Sequence, residues 1–194
     1  MTMILDLLRA CPVCGHSLGL TDWLCTDCYI KLIQKISLKS RMIRANILHY
    51  YLIDWDDDIF MNKVVYSIKG GRPLSAFQFL VNFFPIPKNP QSIIYPSKGR
   101  LDHASVLAHF LGEKWQQEAI GLLKTSKGKQ SLLNKGLRKN TTFQKITNNK
   151  HIVFFVDDIV TTGSTVLGAY NAISCPNEMI VWSLFYRKKK SQFF

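Results

Sequence analysis

The sequence predicts an α/β protein, a doubly wound parallel sheet flanked by helices, with a small cysteine-rich module in front. Three observations carry this reading. Residues 151–156, H-I-V-F-F-V, are apolar on both faces, as a strand buried within a parallel sheet must be. Strand-like and helix-like segments alternate from about residue 64 to residue 186. Four of the five cysteines fall within the first 28 residues, as two C-x-x-C pairs.

The elements follow in order. Cys11-Pro-Val-Cys14 and Cys25-Thr-Asp-Cys28 are separated by ten residues. Each pair aims two sulfurs at one point from a tight turn, so the two turns supply the four thiolates of a tetrahedral site. Gly15 suits the left-handed conformation such a turn needs. Zinc fits four thiolates, which leave no open position; iron fits the same ligands. After Cys28, apolar residues at 29, 30, 32, 33 and 36 alternate with Lys31, Lys35 and Lys39, the spacing of an amphipathic helix. Residues 1–45 are thus read as the zinc module and a linking helix, and 46–194 as the main domain.

In that domain the pattern alternates from about residue 48. V-V-Y-S-I (64–68) reads as a strand ending at Lys69-Gly70-Gly71-Arg72, and L-S-A-F-Q-F-L-V-N-F-F as a helix stopped by Pro85. S-I-I-Y (92–95) is a strand followed by a P-S-K-G turn; 103–117 is helical in pattern and 118–123 strand-like. The polar, basic stretch 125–140 reads as a loop or a loosely held helix. After H-I-V-F-F-V come a helix, T-V-L-G-A-Y-N-A-I, and a last strand, M-I-V-W-S-L-F-Y. Cys175, alone before Pro176, is expected to be a buried thiol.

Composition narrows the class. With 47% hydrophobic residues the chain can bury a core, which excludes a disordered protein. No apolar run approaches the roughly 20 residues of a membrane helix, and the N-terminus lacks a secretory pattern, so a cytoplasmic location is expected. Basic residues outnumber acids 25 to 13, in blocks at 31–44, 114–150 and 187–190. Such blocks attract polyanions, nucleic acid above all.

The densest chemistry lies in V-F-F-V-D-D-I-V-T-T-G-S-T, residues 153–165. Ligands of open α/β sheets bind beyond the carboxyl ends of the strands. Asp157 and Asp158, acceptors only when ionised, call for donors such as sugar hydroxyls, or for a metal. Thr161, Thr162, Gly163, Ser164 and Thr165 turn into a helix start, where backbone N–H groups and hydroxyls bind phosphate. Phosphate at the turn and hydroxyls at the acids describe a ribose 5-phosphate.

This stretch resembles the signature of type I phosphoribosyltransferases, the site for phosphoribosyl pyrophosphate (PRPP). Taken with the four-cysteine module and K-G-G-R near residue 70, nearly the whole chain resembles the ComF family, associated with natural transformation and DNA uptake. The resemblance implies a phosphoribosyltransferase type I-like fold over 46–194. It assigns Asp157 and Asp158 to the ribose hydroxyls and a Mg2+ ion, and Thr161–Thr165 to the 5′-phosphate. Ser97, Lys98 and Gly99 take the pyrophosphate, and the basic segment 127–138 closes over it. In any transfer, the two carboxylates would act catalytically by stabilising positive charge on the ribose. Asp102 and His103 stand where the family has an Asn-Gln pair. The implied function is a cytoplasmic competence protein that binds PRPP and handles single-stranded DNA, in contact with DNA-uptake machinery at the inner membrane. The alternatives are a nucleobase phosphoribosyltransferase and a non-catalytic PRPP sensor.

Overall fold

The structure, a computed structural model, describes residues 10–19, 23–55, 58–70, 73–98, 102–125, 141–145 and 152–188. Among the described residues six strands form one sheet in the order β1-β2-β6-β5-β3-β4, with β1 antiparallel to β2 and all other neighbours parallel. The chain is therefore an α/β protein with a mostly parallel sheet, as its patterning predicts.

The cysteine turns lead into α1 (Thr26–Ile33), whose Cys28 and Leu32 are buried one turn apart. Asp27 in its first turn and Lys31 in its last complement the helix dipole. The predicted linking helix is shorter than expected. The chain leaves it and forms β1 (Lys39–Arg44), which pairs with β2 (Ile47–Asp54). K-S-R-M-I-R alternates in burial with a period of two, and its charges suit a sheet edge.

A second correction concerns V-V-Y-S-I. These residues lie inside α2 (Ile59–Lys69), not in a strand. Met61, Val64, Val65 and Ile68 are buried at helical spacing, and the Asp58 carboxylate caps the helix by accepting the Met61 N–H at 2.6 Å. The β-branched pair Val64-Val65 is the middle of an apolar helix stripe.

The remaining elements are α3 (Pro73–Val81), β3 (Ile93–Ser97), α4 (His103–Trp115), β4 (Ala119–Leu123), β5 (Ile152–Val160), α5 (Ser164–Ala172) and β6 (Glu178–Tyr186). Strand β5 divides the core by alternation. Phe154 and Val156 face a cluster built from α2, α3 and α4, whereas Val153 and Phe155 face a cluster built on α5. Cys11, Trp23, Leu24, Cys28 and Leu32 belong to the first cluster, so the cysteine turns pack onto the sheet's helical layer. Lys63 ties them further by donating to the Val13 carbonyl at 2.8 Å.

Cys175 is exposed, contrary to expectation. It sits with Ser174 in a left-handed turn (φ 54° and 63°) that ends α5 and points the thiol outward, toward Asn171 Oδ1 at 3.8 Å. Among the described residues, no helix is long and apolar enough to cross a membrane.

Candidate functional site

Two groups of side chains stand out. The first is the four-cysteine cluster. The sulfurs of Cys11, Cys14, Cys25 and Cys28 lie within 4.8 Å of one another, with Cys14 and Cys25 at 3.4 Å. A tetrahedral zinc with bonds of about 2.3 Å requires sulfurs about 3.8 Å apart, so the spacing fits. Gly15, at φ 84°, donates its N–H to the Cys11 carbonyl and closes the first turn. Burial raises the Cys11 thiol, but backbone N–H groups of Cys25, Cys14 and Val13 outweigh burial and hold it at about 6. Burial, then hydrogen bonds from the other three cysteines, push Cys28 far up. Four thiolates this close need a cation to coexist, and a divalent ion supplies the charge.

The second group is at the carboxyl edge of the sheet. Strand β5 runs past its apolar stretch, so Asp157 and Asp158 lie within it, three and two residues before its end. Asp157 is 8% exposed, beside Ser183 in the register of β6, and Asp158 is half-buried. The Asp158 N–H donates to Asp157 Oδ1 at 3.0 Å. Burial, and then the neighbouring Asp158 charge, push the Asp157 carboxyl well above its usual range, while Lys124 opposes the rise. Asp157 looks into a recess of about 30 Å³ walled by Val160, Thr161, Gly163, Ser164 and Thr165, room for about one water.

The turn behaves as its residue types predict. Gly163 holds φ 79° and caps α5, where a side chain would be strained. A Cβ there would also meet Ile43 Cγ2 at 3.1 Å. Thr161 and Thr162 are exposed, and the Thr162 hydroxyl donates to Ser164 at 3.3 Å. The start of α5 thus lines the same recess as Asp157, and the partial positive charge of a helix start attracts an anion there.

Of the other expected site residues, Ser97 is buried at the end of β3 and its carbonyl accepts the Lys124 N–H. Lys98 follows it and is exposed. Gly99 and the segment 127–138 lie outside the described residues, as do Gly71 and Arg72. Asp102 is the N-cap of α4 and forms a capping box with Ser105, so this residue serves the fold.

Two contributors escaped the sequence reading. Lys124, at the end of β4, is the cation that acts on Asp157; only the register β4-β3-β5 brings the two to one edge. Ile43, on the unpredicted strand β1, backs the Gly163 turn. No known protein family matches the chain, and no curated protein matches it.

Proposed function

We infer that the chain binds PRPP with Mg2+ at Asp157, Asp158 and Thr161–Thr165, and that it handles single-stranded DNA, as its resemblance to the ComF family implies. One observation carries this reading. A buried Asp157, raised by its burial and by the half-buried Asp158 beside it, stands next to a glycine-gated helix start. The helix start suits the 5′-phosphate and the carboxylates suit ribose hydroxyls. Mg2+ bound with PRPP would supply positive charge that favours the ionised form of Asp157 and offsets the charge of the pyrophosphate. Lys98 and Lys124 follow β3 and β4, the next two strands of the sheet, and their charge would suit an anionic leaving group. The formal charge of +12, lowered by about two when four thiolates hold one zinc, favours a polyanionic partner.

The test is calorimetric titration of PRPP with Mg2+ into the zinc-loaded protein and into Asp157→Ala/Asp158→Ala. Binding is expected to vanish in the double variant while zinc content stays the same. Equal affinity in both would place the site elsewhere. Single-stranded DNA binding at moderate salt is expected as well, and its absence would remove the DNA-handling role. Pyrophosphate release with a free nucleobase would make the protein a salvage-type transferase.

A further inference from the structure

A second cavity lies along α5, outside the Asp157 recess. Ser164, Leu167, Gly168, Asn171 and Ala172 form one stripe of the helix, at offsets of three, four, seven and eight. Eight residues at 1.5 Å each make a groove about 12 Å long. Its second wall is the segment Thr141, Thr142 and Phe143, and that wall is built in. The Thr141 carbonyl lies 2.0 Å from where a Gly168 Cβ would be, so only glycine admits it. Phe143 pairs with Lys124, and the Thr125 N–H donates to the Thr142 carbonyl at 3.0 Å. Arg44, the last residue of β1, and Lys145 complete the lining, and both are exposed.

The chemistry selects the occupant. Two cations line the groove, and among the described residues no acid does. The Thr142 and Ser164 hydroxyls each accept a hydrogen bond, from Thr125 and Thr162, so each keeps its own proton to donate. Asn171 adds an amide, while Phe143, Leu167 and Ala172 give an apolar floor. The volume, about 430 Å³, falls in the usual range for small organic ligands and far exceeds what inorganic phosphate fills. An anion with an uncharged, partly apolar body fits these conditions. We propose that this groove is a binding site for a nucleoside phosphate, taken either as a free nucleotide or as one unit of a strand. The site shares only Ser164 with the Asp157 recess and does not rest on the PRPP reading.

The test titrates dAMP, inorganic phosphate and a short deoxyadenosine strand into the zinc-loaded full chain, into Lys145→Glu and into Asn171→Trp. Asn171 is exposed on the helix, so a tryptophan there fills the groove without entering the core. Both variants are expected to weaken dAMP or strand binding about tenfold or more, the loss of one charge-assisted contact or of the space itself. Titration of PRPP with Mg2+ should not change in either variant. Binding of dAMP assigns the free nucleotide, and binding of the strand alone assigns the polymer. The proposal is overturned if neither binds the wild type, if phosphate alone binds as well as dAMP, or if binding survives Asn171→Trp. Loss of dAMP binding in Asp157→Ala/Asp158→Ala, with competition by PRPP, would also overturn it by moving the nucleotide to the recess. Failure of PRPP to bind while dAMP still responds to Asn171→Trp would sink the PRPP reading alone.

Discussion

Gly168→Ala separates the packing seen here from ordinary helix energetics, because the two predict opposite signs. In the middle of a helix, replacing glycine by alanine gains about 1 kcal/mol. At Gly168 the new Cβ would stand 2.0 Å from the Thr141 carbonyl oxygen and 3.3 Å from the Phe143 ring. The oxygen is backbone, so it cannot swing aside as a side chain tip would; the whole 141–143 segment must move by more than 1 Å to restore ordinary contact. That segment is held by the Thr125 N–H on the Thr142 carbonyl and by the Gln144 N–H on the Leu123 carbonyl. Losing both costs about 2 kcal/mol. Uncovering much of Phe143, now 7% exposed, costs about 2 kcal/mol more. Set against the helix gain of about 1 kcal/mol, the net loss is about 3 kcal/mol, or about 6–12 °C in Tm for a chain of this size. Thermal unfolding followed by circular dichroism measures it. An unchanged or higher Tm would show that the segment does not rest on Gly168, and the groove would lose its wall.

Two further outcomes follow from the charged groups. The purified chain should carry one zinc ion, and chelation or Cys28→Ser should lower the melting temperature, because Cys28 shares its core with Trp23, Leu24 and Leu32; metal analysis and a melting curve check this, and a metal-free protein with an unchanged melt would contradict it. Asp157→Asn should stabilise the ligand-free protein, with a pH signature. The folded carboxyl titrates above its ordinary value of 3.8, so the stability that its protonated form confers is complete below that value and is lost as pH rises through the folded one. Wild type and variant should therefore melt together below pH 3.8 and diverge as pH rises above it; a gap that stays constant with pH would refute the assignment.

Much of this could be read from the chain because local and tertiary signals agreed. The cysteine spacing needs only two turns to converge, and V-F-F-V has no polar face to mislead. The misses occurred where they disagreed. Val64 and Val65 favour a strand locally, yet with Met61 and Ile68 they fit a helix stripe that Asp58 starts. Lys39–Arg44 carries three basic residues and no strong strand signal; its conformation comes from β2, whose edge it covers. Residue type alone puts Cys175 in the core, but its left-handed turn decides its exposure. Lys124 acts on Asp157 from 33 positions earlier in the chain, a pairing that exists only once β3 lies between their strands.

The acids show what the fold needs and what it does not. Asp102 caps α4. Asp54 pairs with Lys39. Asp58 caps α2 and pairs with Lys35 at 2.8 Å; burial raises it, but Lys35 and the Met61 N–H outweigh burial and hold it below its usual range. Each of these has a structural partner, a helix N–H or a lysine. Asp157 is the opposite case, buried with a second carboxylate next in sequence, and both push its carboxyl above the usual range. Among the described residues no element uses Asp157 as a cap or in an ion pair, and asparagine would occupy the same space at less cost. An acid kept in a position that penalises its charge is explained by something that reverses the penalty on arrival, a cation or a donor-rich ligand at the helix start beside it.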